Sequence, residues 1–221
     1  MSISINADRK QTALVDGGAL PWIESPEPGV ERRMLERSGA EVAIATSIVR
    51  YGAGTSFAAH THELGEEFFV LSGTFSDDSG DFPVGTYVRN PPGSRHAPFS
   101  RAGCIILVKL RQMALDDIES VREYPAQRHW RPGEAAGIEQ NLLHSTRRSS
   151  VTLLRMNAGA ELPARVVPGG EELFVVKGEI ETVTAPLRRL LSWGWRRSAE
   201  PLQPALISKQ GALLWIKRGH L

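Results

Sequence analysis

Residues Gly54–Gly73 read GTSFAAHTHELGEEFFVLSG, and residues Gly159–Gly178 read GAELPARVVPGGEELFVVKG. The two stretches align without a gap at an offset of 105 (159 − 54 and 178 − 73). Both keep an opening glycine, a Gly-Glu-Glu step and an apolar run that closes on glycine. Self-similarity at a fixed long period marks a duplicated structural unit. A second block repeats as well. Gly85–Lys109, GTYVRNPPGSRHAPFSRAGCIILVK, corresponds to Gly194–Lys217, GWRRSAEPLQPALISKQGALLWIK, with an offset of 108 (195 − 87) from Tyr87 and Trp195 onward. The three extra residues (108 − 105) of the second copy fall between its blocks, where a hairpin tolerates insertion. Two copies of one domain are therefore expected.

The chain has 221 residues, enough for two domains of about 100 residues each. Its 21 glycines and 14 prolines punctuate short runs of Val, Ile, Leu, Phe and Trp, the pattern of an all-β barrel or sandwich. The expected division is an N-terminal extension over 1–14, a barrel over 15–115, a linker over 116–132 and a second barrel over 133–221. The linker, DDIESVREYPAQRHWRP, is polar and breaks the strand pattern, so His129 and Trp130 within it are read as structural. With 26 Lys+Arg against 25 Asp+Glu, no nucleic-acid surface is expected. The single cysteine, Cys104, excludes an internal disulfide and a thiolate zinc site, and is expected to be buried and inert. No stretch resembles a signal peptide or a membrane span, so the expectation is a soluble, cytoplasmic protein with no membrane partner.

His60 and His62 lie two apart in a segment expected to be extended, so both side chains leave the same face of one strand. Glu66 returns on the next strand, across Leu64-Gly65, and His96 follows the Asn90–Arg95 loop. Three imidazoles and one carboxylate from three places in a barrel suit one divalent transition metal ion: Zn, Fe, Ni, Cu or Mn. The aspartates of Ser76–Asp81, SDDSGD, lack the spacing of a calcium loop and read as a plain turn. Phe68 and Val70 share the strand parity of Glu66 and should point inward beside the metal.

The duplication supplies an internal control. The second copy puts Arg165 at the place of His60, Val167 at that of His62, Glu171 at that of Glu66 and Pro204 at that of His96. Three of the four ligands are gone, so the second barrel is expected to be metal-free, with Arg165 neutralising Glu171. Features kept in both copies, Glu67/Glu172, Phe69/Phe174, Gly73/Gly178, Arg89/Arg197 and Lys109/Lys217, are assigned to the fold. The paired arginines Arg147-Arg148, Arg188-Arg189 and Arg196-Arg197 are read as strand edges and turns.

The spacing Gly54, His60-x-His62, Glu66, Gly73, followed by Gly85, Pro91-x-Gly93, His96, resembles the paired signature of the cupin superfamily. Ser100 stands where the second element usually closes on Asn. The whole of His60–Gln112 further resembles the cupin domain of ChrR-type anti-sigma factors, through its GEE-FVL-G-FSD run, its G-Y-RNPPGS-H element and its GC-VKLRQ close. The resemblance implies tandem double-stranded β-helix (jelly-roll) barrels, a bicupin, with zinc on His60, His62, Glu66 and His96. It also implies a sensory or regulatory role in a stress-response or transcription-control pathway. Residues 1–59 contain neither His nor Cys, so sigma-factor binding through an N-terminal zinc domain is not expected. A small-molecule ligand and a homodimer are the remaining partner expectations. The alternative reading is an Fe-, Ni- or Mn-dependent dioxygenase, or a carbon–carbon bond-cleaving enzyme, acting on a small diketone or phenolic ketone.

Overall fold

The computed structural model describes residues 3–40, 42–183 and 188–221. Nearly every element is a strand, and the only helical turn among the described residues is a short 3-10 turn at Pro125–Gln127. The chain forms tandem double-stranded β-helix barrels, as the repeat implies. No helix among the described residues is long and apolar enough to cross a membrane.

It folds into two compact units, and the chain does not divide between them at one point. The first unit holds 1–7 and 20–128; the second holds 8–19 and 129–221. The main sheet of the first runs in the order Ile3–Ile5, Val30–Gly39, Ala43–Tyr51, Cys104–Leu110, Glu66–Asp77, Tyr87–Asn90, Val121–Glu123. That of the second runs Arg131–Pro132, Ile138–Ser145, Ser150–Met156, Ala212–Arg218, Glu171–Thr182, Gly194–Ser198, Ala13–Asp16. The two lists match strand for strand around the duplicated blocks. In each copy the last strand comes from outside the repeated text. Val121–Glu123, inside the expected linker, pairs antiparallel with Tyr87–Asn90. Ala13–Asp16, at the expected boundary of extension and first barrel, pairs with Gly194–Ser198. Strand pattern alone cannot say which edge a four-residue strand will join.

The long strands Glu66–Asp77 and Glu171–Thr182 are the spines of their units, and each contains a bulge. The register against Cys104–Leu110 steps from Ile105↔Ser72 to Ile106↔Val70, leaving Leu71 unpaired. In the second copy it steps from Lys177↔Leu213 to Val175↔Leu214, leaving Val176 unpaired. One extra residue reverses the alternation of side chains. Phe68 and Val70 face the interior before the bulge, and Phe75 after it. All three join the core with Val88, Ile106 and Val108. The rings interlock, with Phe68 and Phe75 at 4.5 Å, so truncating either would leave a cavity costing about 3–5 kcal/mol.

The glycine that closes each apolar run sits in a tight backbone crossing. Gly73 has φ 69° and a Cβ there would lie 2.2 Å from the Gly103 carbonyl oxygen; Gly178 has φ 88° and would meet the Gly211 oxygen at 2.1 Å. No side chain fits either place, which explains their repetition.

The charged residues common to both copies also belong to the fold. Glu67 stands between Arg89 and Lys109 in cross-strand register, as Glu172 does between Arg197 and Lys217. All six are nearly fully buried. Each carboxylate also accepts from a buried aromatic: Tyr87 Oη donates to Glu67 at 2.8 Å, and Trp195 Nε1 to Glu172 at 2.8 Å. Two cations around one carboxylate, all hydrogen-bonded, is a form in which buried charge is tolerated.

Candidate metal centre

His60 and His62 share the short strand His60–His62, which pairs antiparallel with Ser94–His96 and sets His60 directly opposite His96. Alternation places the two strand-mates on one side, and the register brings the third imidazole to them. The rings stand in a triangle, with centroids 4.8 Å (His60–His62), 5.2 Å (His60–His96) and 4.9 Å (His62–His96) apart. Their ligand nitrogens all lie within 4.8 Å of one another. Glu66, at the start of its long strand, aims Oε2 at the same point, 3.4 Å from His62 Nε2 and 3.5 Å from His96 Nε2. The three histidines read from the sequence thus form one cluster, and Glu66 lies beside two of them, His62 and His96.

The donor set fits a metal ion. The Nε2 atoms of His62 and His96 face each other at 2.9 Å. Donors sharing one ion at about 2.0–2.2 Å lie roughly 3 Å apart at a right angle and roughly 3.4 Å apart at a tetrahedral one. The three separations, 2.9, 3.4 and 3.5 Å, span that range.

Neighbours fix how the ligands point. His60 Nδ1 donates to the Ala58 carbonyl at 3.0 Å and His96 Nδ1 to Asp77 Oδ2 at 3.0 Å, so each ring presents Nε2 to the centre. Asp77 is held in turn, its Oδ1 accepting from the Ser79 amide at 2.7 Å and the Ser79 hydroxyl at 2.5 Å. Glu66 Oε2 accepts from Asn90 Nδ2 at 3.0 Å, and Asn90 Oδ1 accepts from Arg122 at 2.7 Å. Arg122 also donates to the Arg89 carbonyl at 3.0 Å. A chain of three residues thus sets the carboxylate that the sequence identified.

These surroundings drive the imidazoles in opposite directions. Burial lowers the His62 pKa, with the Glu66 charge only partly opposing it. Burial also works to lower that of His96, but the hydrogen bond to Asp77 and the charges of Glu66 and Asp77 outweigh it and raise the pKa. Asp77 is itself held below the usual carboxylate range, because its bonds to His96 and Ser79 overcome the effect of burial.

A cavity of about 280 Å³ opens beside His60, His62 and Glu66. Its walls are largely apolar, including Val49, Phe57, Ile106 and Leu110, and Arg37 and Arg111 also line it. Tyr51 lines it too, buried and edge-on to Phe75 at 5.4 Å. Phe68 and Val70 face inward as expected, though as core beneath the centre. Cys104 is buried, and desolvation pushes its thiol up to about 11. Trp130 lies under the Arg155 guanidinium at 4.0 Å, a structural role.

Sequence reasoning missed Asp77, Asn90 and Arg122. Asp77 was read as turn, and it does anchor the turn, but the bulge at Leu71 sets its parity so that it also reaches His96. Asn90, directly opposite Glu66 across the strand pair, had a legible signal. Arg122 had none, because it sits in the segment read as linker.

The second unit shows the same frame with other chemistry. Arg165 meets Glu171 in a two-pronged ion pair, Nε to Oε2 at 3.1 Å and Nη2 to Oε1 at 2.5 Å, as expected from the sequence. Arg165 Nη1 donates to the Pro163 and Pro204 carbonyls, each at 3.3 Å. Arg218 Nε adds a third bond to Glu171, at 3.0 Å. Thr182 stands at the place of Asp77, so the histidine and its orienting carboxylate are both absent.

No curated protein sequence matches the chain. Solved structures share its fold at low identity. A proposed dioxygenase from Nostoc punctiforme is 15% identical, with a TM-score of 0.76 over 98% of this chain and 86% of that one. Oxalate decarboxylase from Lactobacillus farciminis, solved as a formate complex, is 9% identical (TM-score 0.67; 94% and 86%). Oxalate decarboxylase from Bacillus subtilis, which has Mn(II) centres, is 11% identical (TM-score 0.63; 94% and 77%). The family model for the ChrR cupin-like domain matches twice, over residues 10–114 and 120–221. The chain therefore belongs to the ChrR cupin-like family and carries two copies of its domain.

Proposed function

We propose that the first barrel holds one divalent transition metal, zinc in the first instance, on His60, His62, Glu66 and His96, and serves as a sensory or regulatory module. The observation that carries the reading is the cluster of three imidazoles, with Glu66 beside His62 and His96, next to a cavity of about 280 Å³, so that a small molecule entering it meets the centre. Bound there, the metal would supply Lewis acidity and an attachment point for ligand oxygens. The protein's own residues do the rest. Asp77 and the Ala58 carbonyl set the imidazole orientation, Asn90 and Arg122 hold Glu66, and the apolar walls exclude water from a bound ligand. The second unit, its metal place filled by Arg165, would contribute no second centre.

The cavity also favours a second reading, an Fe-, Ni- or Mn-dependent enzyme that cleaves a small diketone or phenolic ketone. The fold shared with a proposed dioxygenase adds to it. Protein purified without added metal would be analysed for its elements and then tested for oxygen uptake across small diketones and phenolic ketones. Zinc without turnover supports the regulatory reading. Stoichiometric iron, nickel or manganese with oxygen consumption replaces it by the enzyme.

A further inference from the structure

The strand Ala43–Tyr51 turns its odd-numbered residues to the cavity beside the metal centre, and the last of them is Tyr51. Packing fixes its ring, which is tilted against Phe57 and edge-on to Phe75, each at 5.4 Å. Phe57 in turn lies 6.1 Å from the His60 ring, so three rings lead from this wall to the centre.

Tyr51 is 8% exposed, yet its hydroxyl has no hydrogen-bond partner among the described residues. Nor is the oxygen sealed in the interior; the surface it keeps opens on the cavity. A tyrosine hydroxyl this deep ordinarily has a partner. Phenylalanine would make the same ring contacts without desolvating a hydroxyl, so the oxygen points to a use outside the packing. Burial and the charges of Glu66 and Cys104 hold the phenol well above its ordinary pKa, which keeps it a neutral O–H donor.

The second copy makes the same point by contrast. Tyr51 pairs with Cys104 and Met156 with Ala212 at matching register, so Met156 stands at the place of Tyr51. There it joins a buried aliphatic core with Leu154, Leu214 and Ile216, which stand at the places of the cavity-lining Val49, Ile106 and Val108. The barrel that lacks the three histidines also lacks the hydroxyl.

We propose that Tyr51 is a specificity-determining residue of the first barrel, its hydroxyl donating a hydrogen bond to the oxygen of a small, largely apolar carbonyl compound held in the cavity. The inference rests on the cavity being the ligand site of the proposed function, and not on which metal the centre holds. Val49, Phe57, Ile106 and Val108 receive the apolar body, and a neutral donor set among them selects a ligand with an acceptor oxygen at that point.

The natural protein and Tyr51→Phe are titrated with benzoylacetone and with 4-hydroxyacetophenone, each protein both zinc-loaded and metal-free, with binding read by calorimetry and stability by Tm. At least one probe should bind the natural protein saturably, and Tyr51→Phe should weaken it about three- to tenfold, the loss of one neutral hydrogen bond. Zinc content should not change, and Tm should hold or rise, because the substitution removes an unpartnered hydroxyl. A hydroxyl that served only the fold would instead lower Tm and leave the affinity alone. A chain that takes up no zinc defeats the metal reading, and the metal-free titration then decides this one. Saturable binding of neither probe, or equal affinity in the two proteins, overturns the proposal.

Discussion

Glu66 and Glu171 begin the same strand of the same repeated frame, and each is nearly fully buried. Around Glu66 stand two imidazoles, an amide and an open cavity; around Glu171 stand two guanidiniums. The fold therefore keeps a buried carboxylate in both copies, and what differs is the cation offered to it. In one barrel the cation is part of the protein. In the other the protein supplies neutral ligands, and a positive charge must come from solution or from protonation of an imidazole. That difference, rather than anything in the strand order, separates the two halves.

The comparison breaks most visibly at the carboxylates themselves. Glu171→Gln leaves Arg165 and Arg218 without their counter-charge and should cost about 3–5 kcal/mol of stability in denaturant unfolding, as for a buried pair deprived of one member. Glu66→Gln in metal-free protein should cost about 1 kcal/mol or less, since Asn90 can donate to an amide oxygen as well. Its effect should appear instead as weakened metal binding. Equal destabilisation by the two changes would mean that Glu66 is a fold residue like its counterpart.

A smaller effect separates ligand from support. Asp77→Asn keeps all four donors but removes the charge that orients His96, and should weaken metal binding by about 10–100-fold. The pH dependence gives the sign. The raised His96 pKa means that proton competition begins to weaken apparent metal affinity below a pH above the ordinary imidazole pKa of about 6.5. Asp77→Asn lowers that pKa, so the pH at which apparent affinity starts to fall should move down even as affinity at high pH declines. Affinities measured across a pH series whose decline starts at the same pH as in the natural sequence would contradict the role given to Asp77.

The shared features should behave alike in both halves. Gly73→Ala and Gly178→Ala each force a Cβ against a carbonyl at 2.2 and 2.1 Å and should destabilise by similar amounts, about 1–3 kcal/mol each. Thermal unfolding with clearly unequal losses would show that the copies do not share this crossing. Last, Cys104 reports on the first unit alone, because Ala212 takes its place in the second. With its thiol near 11, native alkylation at pH 8 should run about a hundredfold or more slower than in the unfolded chain, and saturating metal should slow it further. A native rate close to the unfolded one would mean that the first barrel opens readily.

Much of this was legible in the residues. The duplication, the β class and the four donors follow from glycine spacing and from a His-x-His pair that alternation must put on one face. The Arg165–Glu171 pairing was readable too, since two residues at known places in the repeat had to neutralise each other. Asp77 was hidden because a single unpaired residue, Leu71, reverses side-chain parity halfway along its strand, and nothing in EEFFVLSGTFSD marks where the bulge falls. Arg122 was hidden by distance: it lies beyond the repeated text and reaches Asn90 only because Val121–Glu123 joins that edge of the sheet. The same holds for Ala13–Asp16, whose partner strand is 181 residues away (194 − 13). Short strands carry a preference for being extended but no address.

One half of this duplicated protein is proposed to bind a metal, while in the other half Arg165 stands at the place of a metal ligand. The most direct test is metal stoichiometry on the full chain, by equilibrium dialysis against zinc and elemental analysis, for the natural sequence and for His60→Ala/His62→Ala. One ion per chain is expected in the first and none in the second. Two ions per chain, or one that survives the double substitution, would contradict it.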